Sequence, residues 1–445
     1  MRFPEGFLFG VATAAIQIEG AVDKRGASIW DTFARVPGAV ANGDTLDVAC
    51  DHYHRWEDDL DLMASLGVNA YRFSIAWPRV LPEGSGTPNR EGLDFYKRIV
   101  DGLHARGIEP VATLYHWDLP QALYEQGGWA SRECAGWFAD YASLMFEELG
   151  DGVDRWITHN EPFVTSFLGH AHGTKAPGRR DWREAIQVAH HVLLSHGLAV
   201  RAFRSIGPGD GSIGISLDFW PAVPLTESKE DLEAVERWDA SRNRWFLEPV
   251  LRGEYPAELV AWFESKLGPL ELGPPTDLQV VSEPIDFLGV NYYSRAVVSE
   301  DRRDGPLGLR QATPTPPTTG MGWAVAPEAL HGLLLRLKRE YGDVPLAITE
   351  NGSAYDDPIP TNGLVDDPDR LAYLRDHLHA VARAAADGVD VQGYFAWSLL
   401  DNFEWEHGYD KRFGIVYVDY ETQRRIPKQS ALWYRDLIAG SISSP

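Results

Sequence analysis

The sequence predicts an α/β fold, a single (β/α)8 TIM barrel over residues 1–445 whose long βα loops form the mouth of an active site. Three observations predict it. Eight apolar, β-branched runs recur along the chain, helix-like segments separate them, and polar side chains gather where the runs give way to Asn, Pro or Gly. A closed parallel barrel collects its chemistry at the C-terminal ends of its strands, so the three belong together.

The first run, FLFGVAT (7–13), leads into ATAAIQIEG, where an open doubly wound sheet would usually offer a glycine-rich phosphate loop. The second is VNAYRFSI (68–75), preceded by an amphipathic segment carrying Trp56, Leu60 and Met63 that stops at Gly67. The third, EPVATLYH (109–116), follows a helix that stops at Gly107. DRWITHN (154–160), SIGISLDF (212–219) and DFLGVNYY (286–293) supply the fourth to sixth strands. Residues Glu300 to Gly320 then carry no periodicity and are rich in Pro, Thr and Gly, which reads as a long loop at the catalytic mouth, shaping an outer subsite or making a surface excursion. Leu330, Leu333, Leu334, Leu337 and Tyr341 mark the next helix, before VPLAITEN (344–351) and VQGYFAWSLL (391–400).

A chain of 445 residues with 44% hydrophobic and 24% charged residues is ordinary for a globular protein, and α/β barrels often run this long as one domain. No stretch approaches the roughly 20 consecutive apolar residues of a membrane span. The formal charge of −24 disfavours nucleic acid and anionic membranes as partners, since both would be repelled. The start MRFPEGFLFG lacks the features of a signal peptide, and Cys50 and Cys134 form no CxxC pair, so a reducing, cytoplasmic setting is expected. The oligomeric state stays open. Asp51, His52 and His54 near Cys50 suit a helix start better than a metal site, and His190, His191 and His196 fall in a helix-like stretch. Neither a metal nor an organic cofactor is expected.

Two carboxylates stand out: Glu161 in THNEP (158–162) and Glu350 in ITENG (348–352), each at the end of a buried run. Around them the other strand ends offer Gln17, Glu19, Arg72, His116, Trp117, Asn160, Asn291, Tyr293, Trp397, Glu404 and Trp405. Pyranose recognition needs side chains that bond adjacent hydroxyls and flat aromatic surface for the C–H face of the ring, and this set has both.

The chain resembles the glycoside hydrolase family 1 β-glycosidases over nearly its whole length. The resemblance rests on FLFGVAT with QIEGA, DHYHRWEDDLDLM, YRFSIAWPR, TLYHWDLPQAL, THNEP, LGVNYYS, ITENG, and WSLLDNFEW with KRFGIVYVDY, in order and at matching spacing. It implies a retaining exo-β-glycosidase, foremost a β-glucosidase acting on terminal β-D-glucosyl residues of β-glucosides and cello-oligosaccharides, with β-galactosidase and β-fucosidase side activity. By that resemblance Glu161 is the acid/base and Glu350 the nucleophile. Gln17, His116, Asn160 and Glu404 would bind glycone hydroxyls, with Trp117 and Trp405 near the sugar and Trp397 beneath its ring. Arg72, Asn291 and Tyr293 would surround the nucleophile, and Trp323 would line the aglycone side.

In the retaining mechanism the two carboxyls sit about 5–5.5 Å apart, one protonating the leaving oxygen while the other attacks the anomeric carbon. Arg72 and Tyr293 are expected to keep Glu350 ionised, and its charge to keep Glu161 protonated. Ile16, Phe163 and the pair Glu406-His407 depart from the family's usual residues. Two other readings remain. A 6-phospho-β-glycosidase would resemble Ser, Lys and Tyr at the places of Glu404, Lys411 and Phe413; only the lysine is present, and an anionic Glu404 would repel a phosphate. A non-catalytic carbohydrate-binding protein on the same fold would be expected to have lost Glu161 or Glu350.

Overall fold

In the computed structural model, which describes residues 1–209 and 211–441, eight parallel strands close into a barrel in chain order. They are β1 (Leu8–Ala12), β2 (Ala70–Ser74), β3 (Glu109–Tyr115), β4 (Arg155–Asn160), β5 (Ser212–Phe219), β6 (Phe287–Tyr292), β7 (Leu346–Asn351) and β8 (Val391–Trp397). β8 closes the ring on β1, with Leu8 opposite Gly393 and Ala12 opposite Trp397. All eight expected strands are present. They were readable because parallel strands, covered on both faces, are nearly continuous apolar runs. The last of them ends at Trp397, three residues short of the expected 400, where the chain turns off to build the site.

Helices cover the barrel, among them His52–Ser65, Arg90–His104, Glu133–Leu149, Trp182–Ile206, Pro327–Tyr341 and Pro368–Ala386. Gly67 (φ 69°) and Gly107 (φ 68°) stand just past two of them in the left-handed conformation that favours glycine. The histidines near Cys50 do begin a helix, with His52 Nδ1 2.8 Å from the Asp59 carboxylate. His190, His191 and His196 lie buried on Trp182–Ile206, bonded to Tyr255 and Asp277, to the Trp129 carbonyl and to Thr158 respectively. Among the described residues no helix is long and apolar enough to cross a membrane.

Outside the barrel, Ala222–Pro224, Ala296–Glu300 and Leu309–Gln311 form a three-stranded sheet at the catalytic end. The Glu300–Gly320 stretch is therefore not wholly irregular: Leu309–Gln311 returns antiparallel to Ala296–Glu300. Its register is fixed by main-chain bonds and not by an apolar pattern, so periodicity gave no signal.

Candidate active site

Both strands that deliver the central carboxylates are irregular where they do so. β4 shifts register against β5 between Ile157 and Asn160, and β7 shifts against β6 between Ile348 and Glu350. Such bulges re-aim side chains that a regular pleat would direct elsewhere. Glu161 (φ 49°), Trp117 (φ 75°) and Trp405 (φ 49°) also occupy the left-handed region, which costs a non-glycine residue on the order of 1–3 kcal/mol. Packing and hydrogen bonds hold all three in place: Trp117 donates its indole N–H to the Asn160 carbonyl at 2.9 Å, the Glu161 amide donates to Ser216 O at 2.9 Å, and the Trp405 ring packs on Trp30 at 4.6 Å.

The two carboxyls have different surroundings. Glu350 Oε1 accepts from Arg72 at 2.6 Å and Oε2 from the Tyr293 hydroxyl at 2.6 Å, so both oxygens are held by strong donors. Arg72 is fully buried and aimed by three more acceptors: Thr349 O, Asn160 Oδ1 and Thr113 Oγ1. Among the described residues Glu161 has a single side-chain donor, the Asn291 amide at 2.8 Å. Burial, then the charges of Asp218 and Glu350, push its carboxyl well above the usual range against the pull of Asn291 and Arg242.

The glycone-side residues are prepared by their neighbours. Asn160 Oδ1 accepts from Arg72 and Asn291, which makes its nitrogen the donor toward His116 Nε2 at 3.1 Å. His116 is kept neutral by burial and by Arg72, so its proton sits on Nδ1, which has no partner among the described residues. Gln17 spends both amide hydrogens on Asn402 Oδ1 and Phe403 O, leaving Oε1 unpartnered. Glu404 Oε2 is likewise unpartnered. These three atoms can take two acceptor positions and one donor position around a polyol. Trp397 lies nearly parallel to the His116 ring at 5.6 Å, and Trp117 packs on Trp405 at 4.4 Å.

A cavity of about 270 Å³ runs between these groups, lined by Glu161, Glu350, His116, Trp117, Tyr293, Trp323, Trp397, Glu404 and Trp405. Of the expected residues, Gln17, Arg72, Asn160 and Asn291 stand behind this lining, each fully buried. Asn291 pairs in register with Glu350, bonds Glu161 and Asn160 with its nitrogen and accepts from Thr349, so it stands between the two carboxylates. Glu19 does not join the site: it pairs with Arg79 at 2.7 Å and accepts from Tyr96. Burial raises Glu404 to about 8, with Lys175 opposing and Glu406 and Glu350 adding to the shift, so repulsion by an anionic Glu404 is not what would exclude a phosphate. Lys411 argues more directly, since it donates to Gly320 O at 2.8 Å.

Several site residues escaped the sequence reading. Asp218 and Arg242 form an ion pair next to Glu161, and Lys175 pairs with Glu406 at the cavity wall. Asp218 is an acidic residue inside the apolar run SIGISLDF, near its C-terminal end, and that was the available signal. Arg242 and Lys175 come from loop and helix segments with no distinguishing pattern. A second cavity of about 470 Å³ shares Trp220, Arg242 and Trp323 with the first and is walled by Phe163, Trp238 and Leu307. The long segment after β6 thus contributes to an outer pocket.

The pattern described as glycosyl hydrolase family 1 matches residues 1–441. A protein named beta-glucosidase A from Thermotoga maritima is 49% identical, with 98% of each chain covered. One named bifunctional beta-D-glucosidase/beta-D-fucosidase from Bifidobacterium breve is 48% identical, covering 99% of this chain and 98% of that protein. The solved structure of the family 1 b-glucosidase from Thermotoga maritima superposes with a TM-score of 0.96 at 48% identity, with 100% of each chain covered. Barrel, bulged carboxylate strands and sequence relatives agree, and the chain belongs to glycosyl hydrolase family 1.

Proposed function

We propose that this protein is a retaining, exo-acting β-glucosidase that releases terminal β-D-glucosyl residues from β-glucosides and cello-oligosaccharides and tolerates β-galactosides and β-fucosides. The observation that carries the mechanism is the division of the two carboxyls: Glu350 held at both oxygens by Arg72 and Tyr293, Glu161 buried among carboxylates with its proton retained. Glu350 attacks the anomeric carbon while Glu161 gives its proton to the departing oxygen, forming a glycosyl ester. Esterification removes the Glu350 charge, so Glu161 stays a carboxylate after giving up its proton; it then takes a proton from the water that attacks the same carbon, and the ester bond breaks to return Glu350 as a carboxylate. Relatives named for glucosidase and fucosidase activity support the glycone preference. His116, Gln17 and Glu404 bind the glycone hydroxyls, Trp397 and Trp405 its ring, and Trp323 the aglycone. Two buried free cysteines accord with action in the reducing cytoplasm.

The test has two parts. Glu350→Gly is expected to lose at least about 10⁴-fold in kcat and to regain turnover with azide, giving the α-glycosyl azide; the β-anomer would exchange the roles of the two residues. With the unmodified protein, kcat/KM on a common aryl leaving group should rank β-glucose and β-fucose above β-mannose and β-glucose 6-phosphate. Preference for the 6-phosphate would overturn the glycone assignment.

A further inference from the structure

A buried ion pair that the catalytic scheme leaves unused stands beside Glu161. Asp218 lies two residues beyond Ser216, the residue whose carbonyl receives the Glu161 amide, and in register with Asn291, whose side chain bonds the Glu161 carboxyl. Side chains two apart on a strand share a face, so Asp218 points to the barrel interior on the Glu161 side. Arg242, from the π-helical turn Ala240–Arg244, contacts Asp218, stands 3.7 Å above the Phe163 ring and lines both cavities. The side chains of Asp218 and Arg242 are only 4% and 12% exposed. Desolvating two charges commonly costs as much as their attraction returns, so such a pair is a poor stabilising device.

We propose that Asp218 and Arg242 are positioning residues for the proton of the acid/base: the Asp218 carboxylate keeps the proton on Glu161, and Arg242 limits how firmly it is kept. The proposal rests on the reading of Glu161 as acid/base. The charged and titratable groups that face Glu161 are Glu350 from β7, Asp218 from β5, Arg242 from its turn and the Tyr293 hydroxyl just after β6, with the Asn291 amide as donor. After burial, Asp218 raises Glu161 more than Glu350 does. Its own carboxyl is pushed up to about 6 by burial against the pull of Arg242, so it carries its charge at neutral pH. The consequence reaches the second half of the reaction. Esterification erases the Glu350 charge, but the Asp218–Arg242 pair persists, so the Glu161 proton affinity in the intermediate is set by this pair.

The test is the pH dependence of kcat/KM for 4-nitrophenyl β-glucoside, whose alkaline limb reports loss of the Glu161 proton. Asp218→Asn removes the negative charge and leaves Arg242 facing Glu161 unpaired, so the alkaline limb should move to lower pH by about one unit or more. The double variant Asp218→Asn/Arg242→Gln restores a pair of zero net charge and should bring the limb back at least half of the way. Asp218→Ser carries the same expectation should the asparagine variant not fold. An unmoved limb with kcat/KM lowered equally at every pH, or a limb displaced further in the double variant than in the single, would overturn the proposal. Failure of the acid/base reading itself is separable. Glu161→Ala should lose far more rate on phenyl β-glucoside than on the 2,4-dinitrophenyl compound, which needs no protonation to leave, and equal losses would sink that reading whatever Asp218 does.

Discussion

Burial raises the Glu404 carboxyl to about 8, with Lys175 resisting and Glu406 and Glu350 contributing, so at neutral pH it presents a proton as well as lone pairs to a sugar hydroxyl. The same shift is a statement about stability. A carboxyl whose folded pKa lies above its unfolded value near 4.5 carries no penalty at low pH; the cost grows as pH rises and is complete above the folded value. Glu404→Gln cannot ionise, so it should leave the thermal midpoint nearly unchanged below pH 4 and raise it at pH 9, by an amount worth on the order of a few kcal/mol. Equal midpoints at pH 9 would mean that the buried carboxyl ionises without cost. Glu161 and Glu350 were visible from sequence because each breaks an apolar run at its end. The unpartnered atoms of Gln17 and His116 were not, because they depend on Asn402 and Asn160 consuming the other half of each side chain.

At the scale of elements, the barrel strands could be read and the outer sheet could not. Ala222–Pro224 and Leu309–Gln311 are three residues each and partly exposed, and they pair with a strand whose position only the folded chain determines. Two side chains of one helix hold that sheet, Arg237 at the Leu307 and Gly308 carbonyls and Asp231 at the Glu300 amide. Asp231, in the first turn of Lys229–Asp239, accepts from the Glu300 amide at 2.9 Å through Oδ1 and from Thr226 through Oδ2. Asp231→Ala removes the anchor of Ala296–Glu300 while leaving barrel contacts intact. Backbone hydrogen exchange across 296–311 should accelerate about tenfold or more with the barrel strands unchanged, since local opening responds to local bonds. KM for long or bulky aglycones should rise because Leu307 and Leu309 wall the outer cavity. Uniform acceleration through β1–β8 would show that Asp231 supports the whole fold instead.

Across the whole molecule, the loops that carry the site are tied to the C-terminal segment by buried charges. Lys428, between the strand Arg424–Pro427 and the helix Gln429–Ile438, bonds Asp401 at 2.7 Å and also Asp357. Asp401 follows β8 on the path to Glu404, and Asp357 follows β7 on the path from Glu350. Arg370 adds bonds to Asp357 at 2.7 Å and Asp367 at 2.6 Å, and Arg412 bonds Asp401. Asp401 and Arg412 fall within WSLLDNFEW and KRFGIVYVDY, but nothing in the sequence joins them to Asp357, Arg370 and Lys428, which look like surface charges until folding buries them. Lys428→Met keeps the volume and removes the cation, leaving Asp357 and Asp401 short of a partner, which should cost about 3 kcal/mol or more at neutral pH. The pH dependence distinguishes this from simple loss of packing. Burial would raise Asp357, but Lys428 and Arg370 together hold it below the usual carboxylate value. A depressed carboxylate contributes stability that is present above its unfolded pKa and is lost as pH falls through the folded one. Removing Lys428 deletes much of that contribution, so the gap between variant and parent in urea denaturation should be widest near neutral pH and narrow only as pH falls below the ordinary carboxylate value near 3.8. A gap independent of pH would assign the loss to packing around the lysine stem and not to the charges that join the two catalytic loops.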